Sequence, residues 1–386
     1  MTTEYFETNV HVDKEWKLHW KQMPEFTQEN KNSFKKITMK FKTKDDYESF
    51  SKIIGQDITE KTKSIWHPEQ GIVQNKKLRW IVPNEIINPT YPVYIISKGR
   101  HSSMFTSRSL SRMKVPHYIS VEPQDYDLYD KALDEFQIRE YVTLLLLPFS
   151  NHGDGPGRAR NWCWDHAISI GAKKHWVLDD NIQEFYRFHN NIRVRVDSGV
   201  IFKMAEDFVE RFSNVPVSGF QYRFFIAPNS AYPAFVKNTR IYSCLLISND
   251  CKHRWRGRYN EDTDLSLRVL KDGDCTIQFN AFLQGKCATQ TVGGGNTAEF
   301  YHAEGKLDKS KWRDGTLNAT GTINKSQMLV DMHPDVCRIV WKYGRWHHFC
   351  DYLPFKDIQL KYKEEYATIP DGVNNYGMEW IDNYGE

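Results

Sequence analysis

Carboxylates crowd two places in this chain, each where a secondary-structure element begins or ends. The first is His175–Ile182, His-Trp-Val-Leu-Asp-Asp-Asn-Ile. Its apolar run Trp176-Val177-Leu178 suits a buried strand, and ionised side chains do not stay buried without partners. The strand is therefore expected to leave the core at Asp179. Asp179, Asp180 and Asn181 would then stand at its carboxyl end, the edge where open α/β sheets collect ligands. Two acids there suit a hard divalent cation whose shell is completed by a substrate phosphate. They also suit a solvated turn, because Asp-Asn pairs favour turns. The second place is Glu261-Asp262-Thr263-Asp264, which opens an expected helix through Leu265–Lys271. Acids at a helix start are stabilised by its dipole. One of them becomes a general base if the fold returns this helix to the mouth of the sheet.

Cations accompany the acids. Residues 152–161 read His-Gly-Asp-Gly-Pro-Gly-Arg-Ala-Arg-Asn, after one expected strand and at the head of a helix. Such a turn offers backbone N–H groups and a favourable dipole to a phosphate, and Arg158 and Arg160 add charge. No Lys-Ser/Thr follows the glycines, and the turn does not open the first βαβ unit. Neither a Walker loop nor a dinucleotide fingerprint fits. Lys98 and Arg100 fall just past another strand, on the same sheet edge as Asp179. An anionic substrate with a metal is the simple reading, and a nucleoside diphosphate fits the parts. His302 follows a Gly-rich stretch and is either a late metal ligand or an ordinary exposed histidine. In Arg338–Phe349, the cations Arg338, Lys342 and Arg345 interleave with Trp341 and four other aromatic or imidazole rings. That mixture suits phosphate contact and base stacking, or an aromatic helix packed on the domain. Spacings of four and three would set the three cations along one helix face.

Those residues need elements to hold them. A chain of 386 residues with 40% hydrophobic and 14% aromatic residues can bury a sizeable core, and its net charge of +3 neither demands nor excludes nucleic acid. Seven cysteines without a CxxC pair suit reduced thiols in a cytoplasm. Met1–Glu15 lacks an apolar signal core, and the longest apolar run, Val142–Phe149, is too short to span a bilayer, so no membrane partner is expected. Residues 1–88 read as a small α+β accessory module. The alternation in Phe34–Phe41 predicts a strand, Thr43–Asp46 caps a helix, and Lys77–Val82 closes the unit. From Pro89, strands at Pro92–Ser97, His117–Val121 and Val142–Pro148 alternate with helices at Ser102–Met113, Asp125–Glu135 and Gly155–Gly171. That alternation signals a parallel α/β sheet. Mixed elements follow Asn181: Ile192–Val196, a helix at Gly199–Phe212, and strands around Val217–Phe225 and Ile241–Ser248.

Taken together, Val177–Asn181, Gly157–Asn161, Glu261-Asp262 and His302 resemble a glycosyltransferase of the GT-A type, whose DxD metal motif the first segment matches in part. Pro92–Arg100, the VLDDNI block and YNEDTDLSLRVLKDG are similar to the TET-associated glycosyltransferase family, found in bacteriophages and related to the glucosyltransferase that makes base J. The resemblance implies an α/β GT-A nucleotide-diphospho-sugar transferase domain over residues 89–310 and a C-terminal extension, 311–386, with a possible DNA contact at Arg338, Trp341, Lys342 and Arg345. It implies a UDP-sugar donor, Mn²⁺ or Mg²⁺, and a hydroxymethylated pyrimidine in DNA, 5-hydroxymethylcytosine first, as acceptor in the host cytoplasm. Under it, Lys98, Arg100, Gly157, Arg158, Arg160, Asn161 and Asp179 bind the donor. Asp179, Asp180 and His302 take the metal, and Asp262, with Glu261 next, is the base. The third motif position is Asn181 rather than Asp, which leaves open whether Asp179, Asp180 or both hold the metal. A glycan or protein acceptor, a non-catalytic nucleotide- or DNA-binding module, and a metal-dependent nuclease or phosphatase are the rival readings.

Overall fold

The computed structural model describes residues 15–68, 77–287, 322–342 and 345–382. The elements begin with α1 (Glu15–His19), α2 (Lys44–Ile54), β1 (Arg79–Ile81), β2 (Val93–Ile96), α3 (Phe105–Arg112), β3 (His117–Val121), α4 (Tyr126–Glu135) and β4 (Val142–Leu146). Next come α5 (Gly157–Ser169), β5 (Lys174–Asp179), β6 (Ile182–His189), β7 (Ile192–Val196), α6 (Val200–Glu210), β8 (Val217–Tyr222), β9 (Phe235–Lys237) and β10 (Cys244–Ser248). The last are α7 (Glu261–Lys271), β11 (Thr276–Lys286), α8 (Thr322–Met332), β12 (Cys337–Lys342), β13 (Arg345–Cys350) and β14 (Glu379–Ile381).

One large sheet runs β14-β1-β7-β6-β11-β8-β10-β5-β2-β3-β4, with β9 added on β11. Its first-formed half is parallel: β2 pairs in parallel with β3 and β5, and β3 with β4. The short crossovers between these strands are α3, α4 and α5, as the alternation of apolar runs and amphipathic segments requires. β10 then enters antiparallel to both β5 and β8, and the far half is mixed. This is the α/β class expected, with its parallel half where the βα alternation lies. Register sets the functional edge. Ile96 stands opposite Asp179 on one side and Ser120 on the other, so β2, β3 and β5 finish level. The core is aromatic. Trp176, Phe185, Phe202 and Phe220 are fully buried, with Trp176 and Phe202 meeting edge-on at 4.9 Å.

The structure corrects four expectations about the periphery. Phe34–Phe41 forms no strand, and Phe34, Ile37 and Met39 are exposed. Alternation alone cannot hold a strand that has no partner to pair with. The helix after it does form, capped by a reciprocal Thr43–Asp46 box, but buries none of its residues. Residues 1–88 are not a unit apart, because β1 joins the central sheet and Trp20 and Met23 lie in the main core. The 311–386 region is woven in likewise. β14 pairs with β1, and β12 and β13 pack with α8 on Leu267 and Leu270 of α7. Finally, Arg338–Phe349 is an antiparallel hairpin rather than a helix. In that register Arg338 and Lys342 share a face, and Trp341 belongs to the opposite one.

Candidate active site

β5 ends as the sequence demands, and the turn after it is clamped. Thr106, at the head of α3, donates its hydroxyl to the Asp179 carbonyl at 2.6 Å and accepts the Ile182 N–H at 2.8 Å. The three motif side chains are thereby fixed at the mouth of a polar cavity of about 290 Å³. That cavity is lined by Lys98, Arg100, Arg158, Arg160, Asp179, Asp180, Asn181, Glu261 and Asp262. Two carboxylate clusters 82 residues apart in sequence thus face one space, because α7 does return to the sheet edge.

Each acid of the motif already holds cations. Asp179 takes Arg160 at 2.8 Å on one oxygen and Lys286 at 2.5 Å on the other. Burial alone would raise its pKa, but Lys286 and Arg160 together hold it far below the usual carboxylate range. Asp180 is ion-paired with Arg100 and accepts the Ser97 hydroxyl at 2.7 Å. Burial outweighs those contacts and pushes its pKa up. The third motif residue, Asn181, is buried and its Oδ1 has no hydrogen-bond partner. An amide oxygen without a partner beside two carboxylates is a hard donor set, so these residues fit a divalent cation. Among the described residues no group of three His, Cys, Asp or Glu side chains converges on one point. The protein would therefore supply part of a shell and leave the remainder to phosphate and water, as Mg²⁺ sites do. His302 lies outside the described residues.

Arg160 is the cation at the centre. It is 4% exposed, lies 3.3 Å from Glu261, and stacks 4.5 Å over the Trp255 ring. Its Nε and Nη1 are buried without a hydrogen-bond partner, a costly state unless an anion takes them. On the opposite wall Glu261 and Asp262 open α7. Burial pushes both carboxyls up; Arg160 opposes this and each acid is raised further by neighbouring carboxylates. Asp262 Oδ1 accepts the Thr263 N–H at 2.8 Å.

Other expected residues take supporting places. Arg158 pairs with Asp154 at 2.6 Å, and Lys98 with Glu122 at 3.1 Å, both on the cavity wall. Gly157 starts α5 and lines the neighbouring groove rather than the cavity. Asn161 is corrected from donor ligand to brace. Its amide donates to the Trp255 carbonyl and accepts the Trp255 N–H, both at 2.9 Å, which spends both ends on one backbone residue. Gly155 needs its glycine, with φ at +86° and the Arg258 carbonyl oxygen 2.5 Å from where a Cβ would sit. Arg338, Trp341 and Lys342 are not among the residues lining the cavity.

Sequence reasoning missed several cavity residues. Lys286 is the last residue of β11, over Tyr222 at 5.8 Å and 2.9 Å from the Ser243 hydroxyl. Tyr222 and Tyr242 stack at 5.5 Å on the cavity wall. Nothing local marks these residues, since their meeting depends on β8, β10 and β11 being neighbours. One signal was legible and went unread: Lys252-His253-Arg254-Trp255-Arg256-Gly257-Arg258, with a cation at every second position.

Comparisons with known proteins bear on this site. No curated protein matches the chain. Among solved structures, a mannosyltransferase from Pyrobaculum calidifontis in complex with GDP-Man and Mn²⁺ is similar over 53% of this chain and 60% of its own, at 10% identity and a TM-score of 0.36. HddC from Yersinia pseudotuberculosis is similar over 44% of this chain and 84% of its own, at 13% identity and a TM-score of 0.26. The glycosyltransferase GlyE of Streptococcus pneumoniae shares 12% identity over 41% of this chain and 34% of its own, with a TM-score of 0.24. The description TET-Associated Glycosyltransferase matches residues 91–295, just over half the chain and the whole span from β2 through β11. This chain belongs to the TET-Associated Glycosyltransferase family.

Proposed function

We propose that this glycosyltransferase moves a sugar from a UDP-sugar to the hydroxyl of a hydroxymethylated pyrimidine, 5-hydroxymethylcytosine, in phage DNA. The observation that carries the donor half is Arg160, whose two unpartnered N–H groups lie beside Asp179 in a cavity that Asp262 and Glu261 close from the other side. A diphosphate satisfies those donors, with Lys98, Arg100, Arg158 and Lys286 adding positive charge around it. Asp262 accepts the proton of the acceptor hydroxyl as its oxygen bonds to the anomeric carbon. The bond from that carbon to the β-phosphate oxygen breaks, and UDP departs with the electron pair. Direct displacement of this kind inverts the anomeric centre. Asp179, Asp180 and Asn181 Oδ1 are the groups that would hold a Mn²⁺ or Mg²⁺ ion, which supplies charge neutralisation to the leaving diphosphate. The family's name, TET-Associated Glycosyltransferase, is what supports a DNA acceptor.

The test is incubation with hydroxymethylcytosine DNA and a panel of UDP-sugars, with product nucleosides read by mass spectrometry. Hydroxymethylcytidine heavier by one sugar is expected with one donor of the panel. Unmodified nucleosides, alongside sugar appearing on a glycan or protein added in parallel, would move the acceptor away from DNA.

The metal has its own measurement. Calorimetry of UDP with and without Mn²⁺ should show tighter binding with the ion. The Asp179→Asn, Asp180→Asn double variant should lose that increment, because the cation–diphosphate pair is left under-coordinated. An increment that persists in a folded double variant removes the acid pair from the donor site.

A further inference from the structure

The run Lys252–Arg258 borders a second concavity. This shallow groove, about 770 Å³, meets the donor cavity along a shared wall of Phe149, Arg158 and Arg258. Trp162, Trp255 and Arg256 line its remainder. Along the run Lys252 and Arg256 are exposed, Arg254 is half-buried, and Trp255 is buried at 3%. The buried indole anchors the segment, and the braced Asn161 holds its backbone, so the cations at alternate positions are presented on a fixed frame. The acidic partners of Arg254 and Arg158 are weak competitors for an anion, whereas Arg256 is held by the buried Asp264. Arg254 pairs with Asp165 at 3.0 Å, and that carboxylate is 68% exposed; Arg158 pairs with Asp154, which is 45% exposed. Exposed pairs of this kind contribute little, so a phosphate can take either guanidinium at small cost. Phe149 and Trp162 are half-buried, and Trp162 is already stacked on His166 at 5.7 Å with rings 22° apart. A guanidinium row beside ring faces that can take a base is the composition of a single-stranded nucleic-acid path.

We propose that this groove carries the acceptor strand, with Arg256 of its lining and Arg254, which pairs with the lining residue Asp165, on its phosphates, Lys252 extending the same row beyond the lining, and Phe149 and Trp162 stacking the bases that flank the target. The inference rests on the DNA-acceptor reading above and adds to it the surface that delivers the strand. Continuity with the cavity places the target base within reach of Asp262 while its neighbours stay in the groove. An unpaired strand is required, because ring faces cannot stack on bases inside a duplex.

The experiment follows binding of a single-stranded oligonucleotide containing hydroxymethylcytosine across a salt series. A Lys252→Gln, Arg254→Gln variant should lower the log–log slope by about 0.7 per lost contact. Arg256 is left intact there, since it also holds Asp264. A second variant, Trp162→Ala, should weaken binding roughly tenfold with the slope unchanged, the signature of lost stacking rather than lost charge. UDP affinity, measured on each variant, should stay at the wild-type value and thereby report an intact fold. A wild-type salt slope in the folded Lys252→Gln, Arg254→Gln variant, together with wild-type affinity in folded Trp162→Ala, would overturn the groove alone. A slope that responds to Arg338→Ala, Lys342→Ala while the groove variants are silent would do so too, and would assign the strand to the hairpin. Absence of DNA binding by the wild-type protein, with UDP still bound, would overturn both the groove and the DNA-acceptor reading.

Discussion

Asp262→Asn should lower turnover by roughly 10²–10⁴, the usual worth of a positioned base, and leave UDP-sugar affinity where it was. The amide keeps the volume and the Thr263 N–H contact of the carboxylate but cannot accept a proton from the acceptor. Steady-state kinetics paired with UDP calorimetry separates the two effects. A variant that loses donor affinity along with rate would place Asp262 in the binding shell and pass the role to Glu261. The pH profile carries the same test. Burial raises the Asp262 carboxyl, so its ionised form is lost as pH falls through a value above the ordinary carboxylate figure of about 3.9. The acidic limb of kcat/KM should therefore sit above that figure, and should vanish in the asparagine variant. Glu261 is raised alongside it, so the limb belongs to the pair rather than to one residue. Stability should move the other way. A carboxyl raised in the folded state contributes stability that is present below its unfolded pKa and lost as pH rises through the folded one. At neutral pH the wild-type acid is therefore a cost, and Asp262→Asn should be neutral or stabilising.

Asp264→Ala should have the largest effect on stability, a loss of about 3–5 kcal/mol in urea unfolding at neutral pH. Asp264 has no exposed side-chain surface, and it receives Arg256 at 3.0 Å, Arg268 at 2.7 Å and His333 at 2.9 Å. Removal strands Arg268, itself only 13% exposed, without its carboxylate. Burial works to raise the Asp264 pKa, but the hydrogen bonds from His333 and Arg256 and the charge of Arg268 outweigh it and the pKa is lowered. Its contribution is therefore present above the unfolded value and lost as pH falls through the folded one. The alanine variant should show a flatter acid limb in stability against pH. A loss below about 1 kcal/mol would mean the cluster merely tolerates its charges. Three elements meet at this carboxylate: α7, the basic run before it, and the turn after α8. The acid at the start of α7 proposed as the base is thus steadied by the acid one place beyond its neighbour.

How far the site could be read in advance divides along physical lines. The strand ending at Asp179 was legible because three apolar residues followed by two acids admit few placements. The α/β class followed from strand and helix periods alternating at short spacing, and β3 begins and ends where the pattern put it. Lys286 was not legible, because its role comes from β11 lying two strands from β10, a fact of topology with no local trace. The hairpin was misread because spacings of four and three fit one face of a helix and also one face of a paired ribbon. The β-branched and aromatic content of Ile339, Val340 and Trp341 was the better guide. Acid pairs said where a cation could go, but not that Arg100, Arg160 and Lys286 would already be there.

The outer seam of the sheet has a consequence for biosynthesis. β1 lies early in the sequence, and its free edge is covered by β14, near the other end, with Trp80 opposite Trp380 and their rings 5.8 Å apart. While the chain is being made, everything from β1 through β13 leaves the ribosome before that cover exists. For that interval β1 presents an unpaired edge, the kind of surface along which nascent chains pair with one another. A stop codon between the end of β13 and Glu379 would make the interval permanent. Such truncations should retain the whole cavity and still be recovered as aggregates.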